Sequence, residues 1–338
     1  MPDEPLVSIC IPTYNRAEMI GKAIESALGQ TYRNIEVIVV DNASSDDTTS
    51  VVAAYKDERL RYVRNDRNLG LFGNFNRCIE LSQGVYLHIL HSDDYIDPDF
   101  TRRCVAFFLE HPSVVMTSTR ACAVRGDGTV TEDVGGMSDF VHSAPEGFRC
   151  LLGSRSYISC PSVMVLREVY RDIGMFSLEY PYSSDFYQWL RIARKYDIGF
   201  VSGPCVYYLE GEHSESFRYL FSSPQGYLDM LRMFIQLQCD LDQEFSEYAG
   251  EFLAAERRYI HDCLFAGFTR GDAMTEFSPK IFCGLAHTCW TLERPLTVGQ
   301  WMGKIRDRIV IFLAGLLMAW SPIRNAVRIL FFQGRAGY

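Results

Sequence analysis

Residues able to do chemistry collect where the apolar runs of this chain stop. The stretch VYLHILHSDDYIDP (85–98) passes from an apolar run directly into the adjacent carboxylates Asp93 and Asp94. A carboxylate pair so placed suits a divalent cation, which takes hard oxygen ligands and keeps positions open for the oxygens of a diphosphate. The same pair also suits an acidic turn, and Pro98 fits that reading equally well. Asp41 raises a related question within DNASSDDTTSVVAAY. Ser44 or Ser45 is expected to cap the helix that follows, with Asp46 and Asp47 in its first turn. Asp41 precedes the cap and has no role in it.

The elements that must position these residues are legible from periodicity. LVSICIPTYN (6–15), NIEVIVVDN (34–42), LRYVRN (60–65) and VYLHIL (85–90) are β-branched-rich runs that each end in polar residues, separated by segments of helical spacing. Repeated strand–helix units of this kind predict an α/β domain with a mostly parallel, Rossmann-like sheet. In such sheets ligands bind beyond the carboxyl ends of the strands, where Thr13, Asn15, Asp41, Asn42, Asp93 and Asp94 fall. Further on, DFTRRCVAFFLEHP reads as a helix and CPSVMVLREVYRDIGMF as a strand leading into a helix. SSDFYQWLRIARKYD reads as a helix with Asp185 near its amino end, and GFVSGPCVYYL returns as a strand. After about residue 216 the pattern becomes helical, with a Ser-Ser-Pro entry at 222–224. The expected organisation is a domain over 1–215, made of a nucleotide-binding half (1–97) and an acceptor half (98–215), followed by a helical C-terminal region over 216–338.

Composition bounds the function classes. The 338 residues are 48% hydrophobic, enough for a sizeable core, and the net charge of −9 argues against a nucleic-acid binder. Eleven cysteines stand singly with no Cys-x-x-Cys pair, a pattern of reduced, buried thiols and not of a zinc site or a disulfide framework. The amino end lacks the basic-then-apolar pattern of a secretory signal, so a cytoplasmic protein is expected. From residue 290 the balance reverses, with seven basic residues, Arg294 and Arg335 among them, against Glu293 and Asp307. The run IVIFLAGLLMAW (309–320) in that tail is well short of the roughly 20 residues that span a bilayer. It suits a buried helix, or an interfacial segment on an anionic leaflet in which 294–335 make peripheral contact with the inner face of the cell membrane.

Three segments in order, VSICIPTYNRAEMIGKAIESALGQTYRNIEVIVVDNASSDDT, NLGLFGNFNRCIELSQGVYLHILHSDDYIDP and YSSDFYQWLRIARKYDIGFV, resemble the signature regions of the family 2 glycosyltransferases with the GT-A fold. The resemblance covers about residues 5–215. It implies that Pro12, Thr13, Tyr14 and Asn15 form a nucleotide cradle and that Asp41 accepts a hydrogen bond from the base. It also implies that Asp93 contacts the ribose or metal and that Asp94 ligates Mn²⁺ or Mg²⁺ at the diphosphate. Asp185 matches the catalytic base ahead of an Asp-x-x-x-Trp-Leu-Arg helix, where a carboxylate takes the proton of an acceptor hydroxyl as that oxygen attacks the anomeric carbon. His213, in YYLEGEHSES, resembles a residue that closes family sites near the diphosphate as a metal ligand or phosphate contact.

Two positions depart from the commoner family pattern. His91 stands where many members carry another aspartate, and NFN (74–76) replaces Ala-Arg-Asn. The second departure resembles a branch with a Gly-x-x-x-Asn pattern, here Gly70 to Asn74, and makes Asn74 a candidate nucleotide contact. The resemblance implies an inverting, metal-dependent transferase that moves a sugar from a UDP-linked donor to a glycan or lipid-linked hydroxyl in cell-surface polysaccharide assembly. The rival readings are a catalytically silent nucleotide-binding partner and a processive synthase. The presence of every assigned acid counts against the first, and the lack of bilayer-length spans and of a Gln-x-x-Arg-Trp segment counts against the second.

Overall fold

The structure, a computed structural model, describes residues 4–125, 128–133, 137–153, 157–209, 225–241, 247–248, 250–252 and 255. The chain divides into two compact units, Met1–Ser214 and Glu215–Tyr338. In the first unit β1 (Val7–Thr13), β2 (Ile35–Asp41), β3 (Leu60–Arg64) and β4 (Tyr86–Ile89) alternate with α1 (Ile20–Leu28), α2 (Thr48–Ala53) and α3 (Leu71–Leu81). Then follow β5 (Tyr95–Ile96), α4 (Phe100–Glu110), β6 (Val114–Val124), β7 (Val130–Asp133), β8 (Phe140–His142) and α5 (Glu146–Gly153). A 3₁₀ turn (Cys160–Ser162), β9 (Met164–Leu166), α6 (Val169–Ile173), α7 (Ser184–Lys195) and β10 (Asp197–Leu209) complete the unit.

The strands form one sheet in the order β3-β2-β1-β4-β9-β6-β10-β5, with β7 on β6 and β8 on β10. All four predicted strands of the first half are present and pair in parallel. Every residue of β1 is buried, as expected of a β-branched run covered on both faces of a parallel sheet. Helix α1 buries Ile20, Ala23, Ile24 and Ala27, spacings that put all four on one face against the sheet.

The second half is mixed and not mostly parallel. β6 and β10 pair in parallel, but β9 runs antiparallel between β4 and β6, and β5, β7 and β8 are also antiparallel to their neighbours. Parallel pairing needs a crossover long enough to carry the chain back. The connection from β6 to β7 is too short for that, and its register is that of a hairpin.

In the second unit α8 (Gln225–Leu241) buries Met233, Phe234 and Leu237, and the rings of Phe234 and Phe252 meet edge to face at 6.3 Å. Among the described residues no helix is long and apolar enough to cross a membrane. The basic tail and its apolar run lie outside the described residues.

Candidate active site

Register brings the polar strand ends together. Thr13 pairs with Asp41, and Cys10 with Ile89, so the residues after β1, β2 and β4 open on one edge of the sheet. Asn15 (φ 52°) and Ala43 (φ 65°) both adopt left-handed backbone, which turns the two loops sharply toward each other. Hydrogen bonds then stitch them: Asn15 N–H donates to Ser44 Oγ at 2.9 Å, and Ser45 N–H donates to Asn15 Oδ1 at 2.8 Å. Tyr14 is 46% exposed beside this seam, so core packing does not account for it.

The N-cap of α2 is Asp47, which makes no side-chain cap bond, and not the expected serine. Neither Ser44 nor Ser45 caps α2; Asp46 Oδ1 accepts the Thr48 N–H at 3.1 Å and the Thr48 hydroxyl at 2.6 Å, while Asp46 Oδ2 accepts Ala17 N–H at 3.0 Å. These bonds hold the Asp46 carboxyl below its ordinary range, outweighing the opposing effect of burial. The serines are drawn instead into the seam with Asn15.

Asp41 is fully buried and has its own partners. Its Oδ1 accepts Ser44 N–H at 2.8 Å, its Oδ2 accepts the Tyr62 hydroxyl at 2.5 Å, and Arg64 Nε lies 3.5 Å away. Asn74 is likewise committed inside the protein. Its Nδ2 donates to Val40 O at 2.9 Å and its Oδ1 accepts from Asn65 Nδ2 at 2.9 Å. Asn65 also reaches Asn42, and Asn42 holds Asn68 and Leu69, so these amides fix the loop that ends at Gly70 (φ 76°).

The acids after β4 are arranged differently. Asp94 is buried; its Oδ1 accepts Leu209 N–H from the end of β10 at 3.1 Å, and its Oδ2 lies 3.4 Å from His91 Nδ1. Asp93 faces Arg16 at 4.0 Å. Burial raises the Asp94 carboxyl above its ordinary range; His91 opposes the shift and Asp93 adds to it. Burial alone would lower the His91 imidazole, but its contacts with Asp94 and with the Cys160 thiol hold it well above the usual histidine range. Its Nε2 is buried without an aligned hydrogen-bond partner.

Asp185 sits in the first turn of α7, one residue inside Ser184, and its Oδ1 accepts the Phe186 N–H at 2.7 Å. It is therefore not the N-cap, a position held by Ser183. Burial raises its carboxyl above the ordinary range, with the Phe186 amide, His91 and the Cys160 thiol pulling the other way. Cys160 interacts with His91 and Asp185, so the structure gathers Asp94, His91, Cys160 and Asp185 into one line of contacts. The thiol itself is pushed up to about 11, chiefly by burial and then by the Asp185 charge.

His91, Asp93 and Asp94 offer ligand atoms that all lie within 4.8 Å of one another. Two carboxylates and an imidazole fit a divalent cation of the Mn²⁺ or Mg²⁺ kind by donor chemistry. His213, the other expected ligand, lies outside the described residues. His91 had entered only as a departure from the commoner acid; its i, i+3 spacing from Asp94 was the available signal. Arg16 follows Asn15 directly and could have been noticed, whereas nothing in the sequence singled out Cys160.

Residues 8–174 match the sequence pattern of Glycosyl transferase family 2. One relative is the Escherichia coli UDP-Glc:alpha-D-GlcNAc-diphosphoundecaprenol beta-1,3-glucosyltransferase WfaP, 42% identical over 90 residues that cover 27% of this chain and 36% of the relative. Another is the putative teichuronic acid biosynthesis glycosyltransferase TuaG of Bacillus subtilis, 29% identical over 208 residues, 60% of this chain and 78% of the relative. Matches to the first four relatives span 66% or less of each relative's length. The solved structure of S. aureus TarS 1-349 in complex with UDP superposes with a TM-score of 0.67 at 19% identity, covering 98% of this chain and 93% of that one. That likeness establishes the fold, a GT-A-like mixed α/β sheet with flanking helices.

Proposed function

Because the chain belongs to glycosyl transferase family 2 through residues 8–174, we propose that it is an inverting transferase that moves a sugar from a UDP-linked donor to a hydroxyl of a glycan or lipid-linked acceptor. The observation that carries the reading is the single line of contacts from Asp94 through His91 and Cys160 to Asp185. It sets acids suited to a diphosphate beside a half-buried carboxylate suited to proton abstraction. The UDP-linked donor is supported by the UDP complex of TarS and the UDP-Glc substrate in the name of WfaP. A role in cell-surface polysaccharide assembly is supported by TuaG and WfaP together.

In this reading Asp185 accepts the proton of the acceptor hydroxyl while that oxygen attacks the anomeric carbon from the face opposite the leaving UDP. The raised Asp185 carboxyl suits the task, since a base too easily ionised holds a transferred proton poorly. Pro12, Thr13, Tyr14 and Asn15 line the nucleoside side, with exposed Tyr14 free to lie against a base. Asp41 already holds three neighbours, so its part is first to shape that cradle and only then to contact the base. Asp93 and Asp94, with His91 beside them, would hold the divalent cation. When bound, that cation offsets charge on the departing diphosphate.

The test incubates purified protein with a panel of nucleotide sugars and Mn²⁺ and measures nucleotide release with and without EDTA. The expected result is release from a UDP-sugar that rises with acceptor and is abolished by EDTA. No release from any donor, across acceptors that include lipid-linked glycans, would overturn the transferase reading. Release that survives EDTA would remove the cation from it.

A further inference from the structure

We propose that Asn76 is a positioning residue of the transfer reaction: by holding the backbone of Phe176 it fixes the segment 173–176, against which helix α7 sets Asp185. The proposal rests on the reading of Asp185 as the base.

Asn74 and Asn76 stand two positions apart on α3, about 200° around the helix, so their amides serve opposite sides. Asn74 reaches back to Val40 O and to Asn65, within the amide network that fixes the loop ending at Gly70. Asn76 reaches forward by a hundred residues. Its Oδ1 accepts Phe176 N–H at 2.9 Å, and its Nδ2 donates to Phe176 O at 2.9 Å. One side chain thus satisfies both backbone groups of one buried residue, as a neighbouring strand would. The pair of bonds sets both the place and the orientation of that segment.

Helix α7 grips the same segment. Gly174, in left-handed backbone (φ 84°), ends α6 and donates its N–H to Tyr170 O at 3.0 Å, which turns the chain. Gln188 Nε2 then donates to Gly174 O at 2.7 Å, and Arg191 Nη2 donates to Ile173 O. Arg191 Nη1 also donates to Gln188 Oε1 at 3.3 Å, so the two side chains hold one another. Gln188 is fully buried and follows Asp185 by three residues, a spacing that makes them neighbours on the helix surface.

Ring packing repeats the link. Phe176 stacks on Phe72 of α3 at 5.6 Å, and meets Phe75 of α3 at 5.6 Å and Trp189 of α7 at 5.8 Å, both edge to face. The route from α3 to the base is therefore continuous, through Phe176, Gly174 and Gln188. The donor-side loop and the base are both referred to one helix. A base displaced by an ångström loses up to about 100-fold in rate.

The test compares Asn76→Ala, Asn76→Asp, Gln188→Ala and the Asn76→Ala/Gln188→Ala double variant in the full chain, with Asp185→Asn as reference. Ser82→Ala is the control, since it loses a buried bond to Ile79 O (2.8 Å) at the far end of α3. Kinetic constants for the UDP-sugar found in the donor panel and for acceptor, with UDP affinity by calorimetry, are measured for each. Asn76→Ala and Gln188→Ala are each expected to lower kcat about 10-fold, with donor KM and UDP affinity within about twofold of the parent. The double variant is expected within about threefold of the slower single, because both act through one segment. Asn76→Asp keeps the acceptor for Phe176 N–H and loses the donor to Phe176 O. Its kcat is expected between those of the parent and the Ala variant, and it carries the test if Asn76→Ala does not fold. Parent-like kcat in the Asn76 variants, with Asp185→Asn inactive, overturns the role of Asn76 and leaves the base in place. An equal fall of kcat in Ser82→Ala, or kcat and UDP affinity falling together, also overturns it, because general loosening would then account for the effect. Losses that multiply to about 100-fold in the double variant overturn the shared segment. Turnover retained in Asp185→Asn instead removes the base on which the proposal stands.

Discussion

Two clusters of polar residues stand on the same edge of the sheet and use the same residue types to opposite ends. Around β2, Asp41, Asn42, Asn65 and Asn74 give their oxygens and amides to one another and to the backbone, so that polar demand is met inside the protein. Beyond β4, the acids are in tension. Asp94 and Asp185 are pushed up by burial, the His91 imidazole is held above its usual range by Asp94 and Cys160 against the effect of burial, and its Nε2 has no aligned partner. A buried polar group with all its partners makes a rigid frame, while one left in mismatch remains available to a ligand or a proton. The difference separates what shapes the cradle from what does the chemistry.

Substitutions should divide along that line. The largest effect is expected from Asp185→Asn. It should lower transfer by about 10²–10⁴-fold while UDP affinity stays within about twofold, and it should leave stability unchanged or raised because a strained buried charge is removed. Steady-state rates, calorimetry and denaturant midpoints on one preparation decide it; a loss of stability would put Asp185 in the frame.

Asp41→Ala should behave in the reverse way. It strands Tyr62, Ser44 N–H and Arg64, and is expected to cost about 2–4 kcal/mol in urea unfolding. A smaller penalty of about 1–2 kcal/mol is expected for Asn74→Ala, which loses neutral partners alone. Unaltered stability in either variant, combined with lost UDP binding, would move that residue from frame to ligand contact.

The smallest effect is one of position on the pH axis. Asp185 must be ionised to accept a proton, and burial holds its carboxyl above the ordinary carboxylate range. Transfer should therefore rise with pH through a limb displaced above the ordinary carboxylate range, and protonation should silence the base below it. The sign for stability is opposite. The fold favours the protonated form, so the contribution of Asp185 is greatest at low pH and declines as pH rises through the shifted value. An acid limb at the ordinary position would place the base elsewhere.

Much of the fold was legible in local pattern. The four β-branched runs became β1 to β4 because a strand buried on both faces needs apolar side chains at every position. Helix α7 was equally readable, although it also buries Gln188, whose amide donates to Gly174 O at 2.7 Å. The mixed second half was less so. Short strands such as β5 and β9, of two and three residues, carry too few side chains to show a period. At the site, Asp93, Asp94, Asp185 and Asn74 are all visible from motif and order, but residue type and place do not reveal that the Asn74 amide bonds Val40 O and Asn65 inside the protein.

The sequence by itself determined the succession of strands and helices, the placing of polar residues at strand ends, and the acids that stand there. Those follow from neighbours a few residues apart, within reach of periodicity and turn chemistry. Only the tertiary structure decided which polar ends are satisfied and which are left to act. Asp41 is met by Tyr62 twenty-one residues on and Asp94 by an amide 115 residues away. Burial and hydrogen-bond satisfaction are properties of what packs around a group, and that is settled when the distant strands close on one another.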